Sequence, residues 1–410
     1  MEHLPAFLTL VIVISVARFF GMIFRKLGQP SVMGEVLGGI VLGPSVIGYF
    51  FPGFTETVFH PESMVFLKHV AEIGITFYLF VMGLEIDLPR LRHSAKSAVL
   101  ISQVSILFPF ALGLLLAWQI FDQYAPAGIG HLEFSLFIGV SLSITAFPVL
   151  ARILADSRFH KTSLGDLALT CAAIDDITAW CLVAVVTGLL KSSMGGAGLT
   201  IVLTAAYVLV MLFVVRPLIG KIIPRIEKSA ERLPQAALAI VVLGALGSAT
   251  ITHLIGIHAF FGAFLFGAVI PHNSLIAKDV TDRLQDFVAI LFLPAFFALT
   301  GVKTQVGLLA SGEHWVLCLI IISLAILGKF GGAFAAAKIS GNSTKDSTIL
   351  GLLMNTRGLV ELIVLNIGLS VGVLTPTLFT MLVIMALVTT FMTGPLLKWV
   401  DSKPTVGSSF

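Results

Sequence analysis

SLGDLALTCAAIDDITAWCLVAVVTGLL, residues 163–190, has the length and composition of a membrane-spanning helix except for two adjacent aspartates, Asp175 and Asp176. A carboxylate within the hydrocarbon core costs roughly 3 kcal/mol on insertion scales, so two in succession are hard to explain by packing alone. Ionisable residues inside a bilayer mark ion or proton pathways by default. The pair therefore indicates a polar site within the membrane that handles ions or protons.

The composition of the whole chain fits this interpretation. Of 410 residues, 57% are hydrophobic and 11% are charged, and the mean hydropathy is +1.03. A soluble domain carries about 25% charged residues. The sequence has no basic run suited to nucleic acid, and Cys171, Cys181 and Cys318 all lie in apolar runs, which does not suggest a disulfide or metal set. We therefore expect an all-α polytopic membrane protein without a cofactor, apart from the ions it handles.

Apolar runs long enough to cross a bilayer, which takes about 20 residues, recur along the chain. We predict about 13 spans, of which the ninth is short. Their expected limits are 5–25, 31–50, 65–86, 97–121, 133–156, 163–190, 198–217, 235–254, 257–271, 283–303, 314–338, 347–369 and 376–398.

The basic residues predict the orientation of these spans. Most loop lysines and arginines follow odd-numbered spans, whereas the loops after even-numbered spans hold or border on only Lys68, Lys191 and Lys303. Because cytoplasmic loops are enriched in Lys and Arg, we expect the N-terminus outside. The short C-terminal tail, residues 401–410, is then cytoplasmic.

The most polar internal stretch, residues 221–234, divides the chain into two halves of six spans, and a connector span lies between the halves. The second half therefore enters the membrane with the opposite polarity, which is the inverted repeat of many secondary transporters. The fifth span of each half is irregular: Pro148 interrupts the first, and the run Asn355–Gly358 interrupts the second. Interrupted helices in corresponding positions predict a binding site between them.

The remaining charged residues within the spans suggest roles around this site. Adjacent helical residues point about 100° apart, so one aspartate can have an internal partner while the other lines an aqueous cavity. We assign Lys329, near the middle of the eleventh span, to Asp175 and leave Asp176 for the cation. Thr145, Ser143, loosened carbonyls of the fifth span and water would supply the other oxygen ligands.

Other buried charges have structural explanations. Arg357 and Glu361 stand four apart on one helix face and are expected to form an internal ion pair. Glu72, in the third span, either lines the cation path or forms a hydrogen bond across a domain interface. Glu35, near the start of the second span, is expected to be structural.

Several segments together resemble the monovalent cation:proton antiporters, and most closely the branch of bacterial, plastid and plant sodium/proton and potassium/proton exchangers. These segments are SLSITAFPVLARIL (141–154), CAAIDDITAWCLVAV (171–185), LFLPAFFALTGVKT (291–304), LGKFGG (327–332) and MNTRGLVELIVLNIG (354–368). They cover nearly the whole chain in order. The resemblance implies that Asp176 carries the ion, that Asp175 pairs with Lys329, and that the two broken helices cross.

The resemblance also implies a homodimer with an elevator-like movement of a core against a scaffold. The scaffold would comprise 1–90 and 234–310, the core 91–195 and 311–400, with a connector and linker over 196–233. The Asp-Asp pair is similar to that of electrogenic members. Potassium-efflux relatives often carry a Gln-Asp pair and a nucleotide-binding domain. This sequence has Asp175-Asp176 in place of Gln-Asp, so sodium is the favoured cation and potassium is the second candidate. A bacterial inner membrane or a thylakoid or plastid membrane is the expected location.

Three other functions fit parts of the pattern. A sodium-coupled symporter of an organic anion would share the inverted repeat, but it does not need adjacent aspartates with a core lysine. A cation channel would present its acidic residues as a ring around a pore. An intramembrane aspartyl protease needs two facing carboxylates, which neighbours on one helix cannot provide.

Overall fold

The computed structural model describes residues 4–86, 95–155, 157, 159, 162–191, 197–227 and 234–402. Within these ranges its regular secondary structure is all helical, as predicted. The first half contains α1 (Leu4–Lys26), α2 (Ser31–Leu42), α3 (Ile47–Phe50), α4 (Pro52–Val58), α5 (Pro61–Leu84), α6 (Ala95–Tyr124), α7 (His131–Ser143), α8 (Phe147–Ala155), α9 (Ser163–Lys191), α10 (Ala197–Val210) and α11 (Arg216–Glu227). The second half contains α12 (Gln235–Ile255), α13 (Ala259–Val269), α14 (Leu275–Phe287), α15 (Leu293–Lys303), α16 (Gly312–Ile339), α17 (Thr344–Met354), α18 (Leu359–Ser370) and α19 (Pro376–Ser402). Short π-helical turns, Met211–Val215 and Val288–Phe292, join α10 to α11 and α14 to α15.

The described residues form 12 helical segments long and apolar enough to cross a membrane. The chain is thus a multi-pass integral membrane protein. The predicted ninth span is the exception, because it is α13, of 11 residues. At 1.5 Å per residue it reaches only about 16 Å, roughly half of the hydrocarbon thickness.

Both predicted irregularities are breaks between two half-helices. α7 ends at Ser143 and α8 begins at Phe147. Pro148 is the second residue of α8 rather than a mid-helix residue, so its missing N–H falls among first-turn amides that have no helical acceptor. In the other half, α17 ends at Met354 and α18 begins at Leu359. Unwound backbone at membrane depth is tolerated only where it is buried in protein or lines a cavity.

The chain divides into two compact units. The first comprises Met1–Ser15, Glu56–Arg90 and Ala184–Leu299, and its helices pack around a core that includes Phe80, Ala249 and Ala263. Here α5 and α13 approach closely at Gly83, where an added Cβ would collide with the backbone of α13 at Phe264 and Ala268. Such close approach of small residues is a usual way of packing helices in membranes.

The second unit comprises Val16–Thr55, Leu91–Val183 and Thr300–Phe410. Its core joins α6, α8, α9, α16 and α17 through small and aliphatic side chains such as Ala98, Leu150, Ala172 and Ala333. The predicted division into scaffold and core stays a prediction. The tail beyond Ser402 and linker residues 228–233 lie outside the described residues.

Candidate functional site

The two aspartates lie on α9 in the second unit, and both side chains are buried. Asp175 is 0% exposed and Asp176 is 1% exposed. A buried carboxylate needs an opposite charge or several hydrogen bonds to offset its desolvation. The partners of each aspartate therefore show what each can do.

Asp175 is surrounded by donors. Lys329 Nζ of α16 lies 2.8 Å from Asp175 Oδ2, and both side chains are completely buried. On α6, Ser102 Oγ donates to Oδ1 at 2.5 Å. Ser105 Oγ lies 3.1 Å from Oδ2 and 2.9 Å from the Ser102 carbonyl, and it shares its single hydrogen between them. Thr145 Oγ1, from the break after α7, donates to Oδ2 at 2.7 Å. The charge and the lone pairs of Asp175 are thus used within the protein, and the carboxylate ties α6, α9 and α16 together.

Asp176 has the opposite environment. Neither of its carboxylate oxygens has a hydrogen-bond partner among the residues that the structure describes. The backbone N–H of Phe147, the first residue of α8, lies within electrostatic range of this carboxylate. The N-terminus of a helix carries partial positive charge and favours an anion or carboxylate nearby. Asp176 is thus a buried acid whose oxygens are open to a ligand.

The two breaks run side by side next to the aspartates. The Ala146 N–H donates to the Thr356 carbonyl at 3.0 Å. Thr145 Oγ1 also lies 3.1 Å from the Met354 carbonyl, so its single hydrogen is shared between Asp175 Oδ2 and that carbonyl. One hydroxyl therefore joins Asp175 to the end of α17, so that the second break is held to the helix that carries both acids.

Arg357 occupies the second break and satisfies the end of α7. Its guanidinium donates from Nη1 to the Ser141 carbonyl at 2.9 Å and from Nη2 to the Leu142 carbonyl at 2.5 Å. The last carbonyls of a helix lack internal partners and carry partial negative charge, so a buried cation there stabilises the half-helix. Arg357 Nη1 also pairs with Glu361 Oε2 at 3.0 Å, and Glu361 lies in the first turn of α18, where a carboxylate is favoured.

Thr390 of α19 holds the same break from the other side. Its hydroxyl accepts a hydrogen bond from the Arg357 N–H at 3.1 Å and donates to the Arg357 carbonyl at 2.7 Å. The backbone of the break is thus fixed by a neighbouring helix while the Arg357 side chain reaches α7.

The other predicted residues have the following contacts. Ser143 Oγ donates to the Val140 carbonyl of its own helix at 2.9 Å, and Thr145 is bonded to Asp175. The proposed part of both residues in cation binding stays a prediction. Glu72 belongs to the first unit, and its side chain is 45% exposed and 3.8 Å from Lys68 one turn earlier on α5. Glu35 is buried and lies 3.7 Å from Arg18.

Sequence reasoning did not single out Ser102, Ser105 or Thr390. A signal for the two serines is present, since they are spaced i, i+3 within a mostly apolar span and therefore share a helix face. Thr390 lies among several threonines of α19, and nothing in the sequence distinguishes it from Thr389 or Thr393. Only the tertiary contact of α19 with the break makes it special.

Comparisons with known proteins show which proteins this chain resembles. The model of the family described as "Sodium/hydrogen exchanger, transmembrane" matches residues 11–401. The Na(+)/H(+) antiporter NhaS4 of Synechocystis is 40% identical over 397 residues, which cover 96% of this chain and 97% of that protein. Cation/H(+) antiporter 20 of Arabidopsis thaliana is 40% identical over 94% of this chain, and K(+)/H(+) antiporter 1 of Saccharomyces cerevisiae is 35% identical over 92%. The chain spans about half the length of these plant and yeast relatives, with 47% and 44% of them covered.

A solved structure shows the same fold. The sodium proton antiporter MjNhaP1 from Methanocaldococcus jannaschii superimposes with a TM-score of 0.71 over 97% of each chain, at 15% sequence identity. At that identity the likeness concerns the fold alone. It extends over both halves of the chain.

Proposed function

Because the chain belongs to the sodium/hydrogen exchanger family, it is a cation/proton antiporter and not an enzyme, and we propose that Asp176 binds the transported cation and the proton in turn. Asp176 is almost completely buried, and both its oxygens lack hydrogen-bond partners in the described part of the chain. This observation carries the proposal. The neighbouring Asp175 already has Lys329 and three hydroxyl donors.

One carboxylate can couple the two ions because its ligands exclude each other. A protonated carboxyl group is neutral and a poor ligand for a cation, whereas the ionised form binds a hard cation through oxygen. Either ligand neutralises Asp176, and neutralisation lowers the cost of keeping the group away from water. The empty, charged form is penalised when the site passes an apolar barrier. Exchange is therefore favoured over leak in either direction.

We place this exchange in an elevator-like movement of a core that carries the broken helices. The bonds from Thr145 and Ala146 to the second break, and from Arg357 to α7, would let the half-helices and α9 move as one piece. Lys329 compensates Asp175 throughout, so only the charge on Asp176 changes during the cycle.

Sodium is the cation we favour, with potassium as the second candidate. Both bind through oxygen, and the size of the site distinguishes them. The printed names of the relatives include both, Na(+)/H(+) for the Synechocystis protein and K(+)/H(+) for the yeast protein. The Synechocystis relative aligns over nearly its full length, which supports sodium.

The location and assembly belong to the same proposal. We place the protein in a bacterial inner membrane or a thylakoid or plastid membrane, with its N-terminus outside and its C-terminus in the cytoplasm. Its proposed partners are membrane lipid and a second copy of the chain. The segment Gly198–Pro224 presents exposed apolar side chains, among them Leu199, Val202 and Phe213, which suit either lipid or a second copy.

Proteoliposomes that enclose a pH dye test the proposal. Sodium, lithium, potassium and rubidium are added in turn outside vesicles that carry the wild type, Asp176→Asn or Asp346→Asn. Asp346 is a partly exposed aspartate in the first turn of α17, and it serves as the matched control. We expect cation-driven proton movement in the wild type and in Asp346→Asn, and none in Asp176→Asn.

Normal exchange by Asp176→Asn would refute the assignment of this residue. A wild type that moves protons only when an organic anion is supplied would favour symport instead. Repeating the assay with the membrane potential clamped by an ionophore shows whether each cycle moves net charge, as the Asp-Asp pair predicts.

A further inference from the structure

Asn355 and Thr356 lie in the break between α17 and α18, and their side chains are buried without using their oxygens. Asn355 is 1% exposed and Thr356 is 0% exposed. Asn355 Oδ1 and Thr356 Oγ1 have no hydrogen-bond partner among the residues described. The Thr356 backbone, in contrast, is engaged, since its carbonyl accepts from Ala146.

Two buried threonines of α19 in the same unit do not share this property. On α19, Thr389 Oγ1 donates to the Met385 carbonyl at 2.8 Å and Thr393 Oγ1 donates to the Thr389 carbonyl at 3.0 Å. In a regular helix, a buried threonine can donate to the backbone carbonyl one turn earlier. Thr356 lies in the break, where it makes no such bond. Most buried polar side chains in proteins are bonded, so an unbonded one calls for an explanation.

The contacts between the two breaks join the backbone around Asn355 and Thr356 to residues that contact or approach the aspartates. Thr145 joins Asp175 to the carbonyl of Met354, the residue before Asn355. Ala146 is bonded to Thr356 itself, and the next residue, Phe147, has its N–H within electrostatic range of Asp176. Thr356 is therefore bonded to Ala146, which lies between Thr145, a contact of Asp175, and Phe147, whose N–H approaches Asp176.

We propose that Thr356 Oγ1 and Asn355 Oδ1 are ligands of the transported cation and share it with Asp176. The inference rests on the proposed function and adds to it the residues that set cation affinity. Among the described residues beside the breaks, Asp176, Asn355 and Thr356 hold buried side-chain oxygens that all lack hydrogen-bond partners. Glu361 Oε1 also lacks one, but the other oxygen of that carboxylate pairs with Arg357. A monovalent cation is bound by such a set of oxygens, one of them charged and the others neutral.

The neutral ligands have a specific consequence for coupling. Hydroxyl and amide oxygens bind a cation, but neither takes up an additional proton in the physiological pH range. Thr356 and Asn355 therefore favour the cation over the proton in the competition for Asp176. Losing them weakens cation binding and leaves the proton site in place.

The test compares Thr356→Val, which removes the hydroxyl at nearly constant volume, with Thr356→Ser, which restores it, and with Thr393→Val as the matched control. In proteoliposomes we expect the apparent KM for sodium and potassium to rise about tenfold in Thr356→Val, which corresponds to the loss of one net favourable contact. The maximal rate at saturating cation should stay close to that of the wild type. Thr356→Ser and Thr393→Val should stay within about twofold of the wild-type KM.

The pH profile gives a readout that a structural role would not move. Cation and proton compete for Asp176. At a fixed, subsaturating cation concentration, a variant that binds the cation more weakly exchanges it for a proton only when the proton concentration is lower. The onset of exchange in Thr356→Val should therefore shift to higher pH, by about one unit for a tenfold loss of affinity if one cation competes with one proton.

Purified protein gives a second measure that needs no transport. A cation that binds the native state raises its melting temperature as the cation concentration rises. We expect this sodium-dependent rise in the wild type and in Thr393→Val, and a rise displaced to higher sodium concentration in Thr356→Val. Asn355→Ala repeats both assays, so the inference stays testable if Thr356→Val does not fold.

The outcomes separate this inference from the proposed function. If Thr356→Val and Asn355→Ala keep the wild-type KM and pH profile while Asp176→Asn is inactive, the two ligands are wrong and the role of Asp176 stands. If Asp176→Asn exchanges normally, the proposed site itself is wrong. A raised KM in Thr356→Val that Thr356→Ser reverses supports the assignment.

Discussion

Asp175 and Asp176 are neighbours on α9, yet Asp175 accepts hydrogen bonds from four side chains and Asp176 accepts none within the described residues. The helix accounts for the difference, because successive side chains point about 100° apart. One direction faces Lys329 and the hydroxyls of α6, and the other faces the start of α8. Two chemically identical groups are thus given different environments by one residue of helical rotation.

This arrangement supports different roles for the two aspartates, one joining helices and the other changing its charge. The Asp175–Lys329 pair is neutral as a whole and links three helices. A group that exchanges ligands must lose its partner in every cycle, so it cannot also join the helices. The contacts therefore support the proposal that Asp175 is structural and that Asp176 exchanges ligands.

We expect Lys329→Ala to destabilise the protein. Removing the ammonium leaves the Asp175 carboxylate buried without a counter-charge, which typically costs about 3–5 kcal/mol. Thermal unfolding of the purified protein should show a clearly lower midpoint. Lys338→Ala is the matched control, since Lys338 lies in the last turn of the same helix and is exposed.

The double variant Asp175→Asn/Lys329→Ala sharpens this test. With both charges gone, no uncompensated ion stays buried, so the double variant should be more stable than Lys329→Ala alone. A Lys329→Ala protein that melts as the wild type does would show that the pair contributes nothing to stability.

Arg357→Met should be among the most damaging substitutions in the second unit. It removes both bonds to the end of α7 and leaves Glu361 buried without its partner, so we expect a loss of about 3–5 kcal/mol. Arg357→Lys keeps the charge but not the planar fork that reaches Ser141 and Leu142 together. It should therefore rank between the wild type and Arg357→Met in denaturant or thermal unfolding.

Glu361→Gln supplies the control for the ion pair alone. It keeps a hydrogen-bond acceptor for Arg357 and leaves the contacts with α7 in place. Its loss should be smaller than that of Arg357→Met. Equal losses would mean that the ion pair, and not the capping of α7, accounts for the effect of Arg357.

Sequence alone was sufficient to predict the main frame of this protein. Long apolar runs predicted the spans, and Pro148 and the Asn355–Gly358 run predicted both breaks within a few residues. The rarity of charge in these runs made Asp175, Asp176, Lys329, Arg357 and Glu361 conspicuous. With so few buried charges, pairing them by sign and depth left few choices.

The polar contacts between helices were not predictable in the same way. Serine and threonine are common in membrane helices, and most of them bond to their own helix, as Ser143 does. Whether a hydroxyl reaches a neighbouring helix depends on rotation and crossing angle, which the sequence does not specify. Ser102, Ser105 and Thr390 were therefore missed, and the partner of Thr145 became known only from the structure.

Gly328 and Gly331 offer a matched pair for testing how tightly α16 packs beside Lys329. A Cβ added to Gly328 would lie 2.6 Å from Pro109 Cβ of α6, whereas one added to Gly331 would lie 3.8 Å from the nearest atom, Phe108 Cε1. Overpacking typically costs about 1–3 kcal/mol, and alanine is favoured over glycine in a helix by up to about 1 kcal/mol. We expect Gly328→Ala to lower the melting temperature and the exchange rate, and Gly331→Ala to leave both unchanged or slightly raise the melting temperature. Equal behaviour of the two variants would argue against close contact at Gly328.

Glu85, just beyond the end of α5, predicts a pH-dependent gain in stability on substitution. Burial raises the pKa of Glu85 above its ordinary value of 4.5, and the nearby His272 offsets part of that rise. The folded state therefore holds this proton more tightly than the unfolded state does, so stability declines as the pH rises from 4.5 through the folded pKa and stays lower above it.

Glu85→Gln removes the cost of ionising a buried group, so its melting temperature should match that of the wild type near pH 4 and exceed it slightly at pH 8. Glu56→Gln, at an exposed site in the same unit, should show no such divergence. A Glu85→Gln curve parallel to the wild type at every pH would mean that Glu85 ionises as freely in the folded protein as in the unfolded chain.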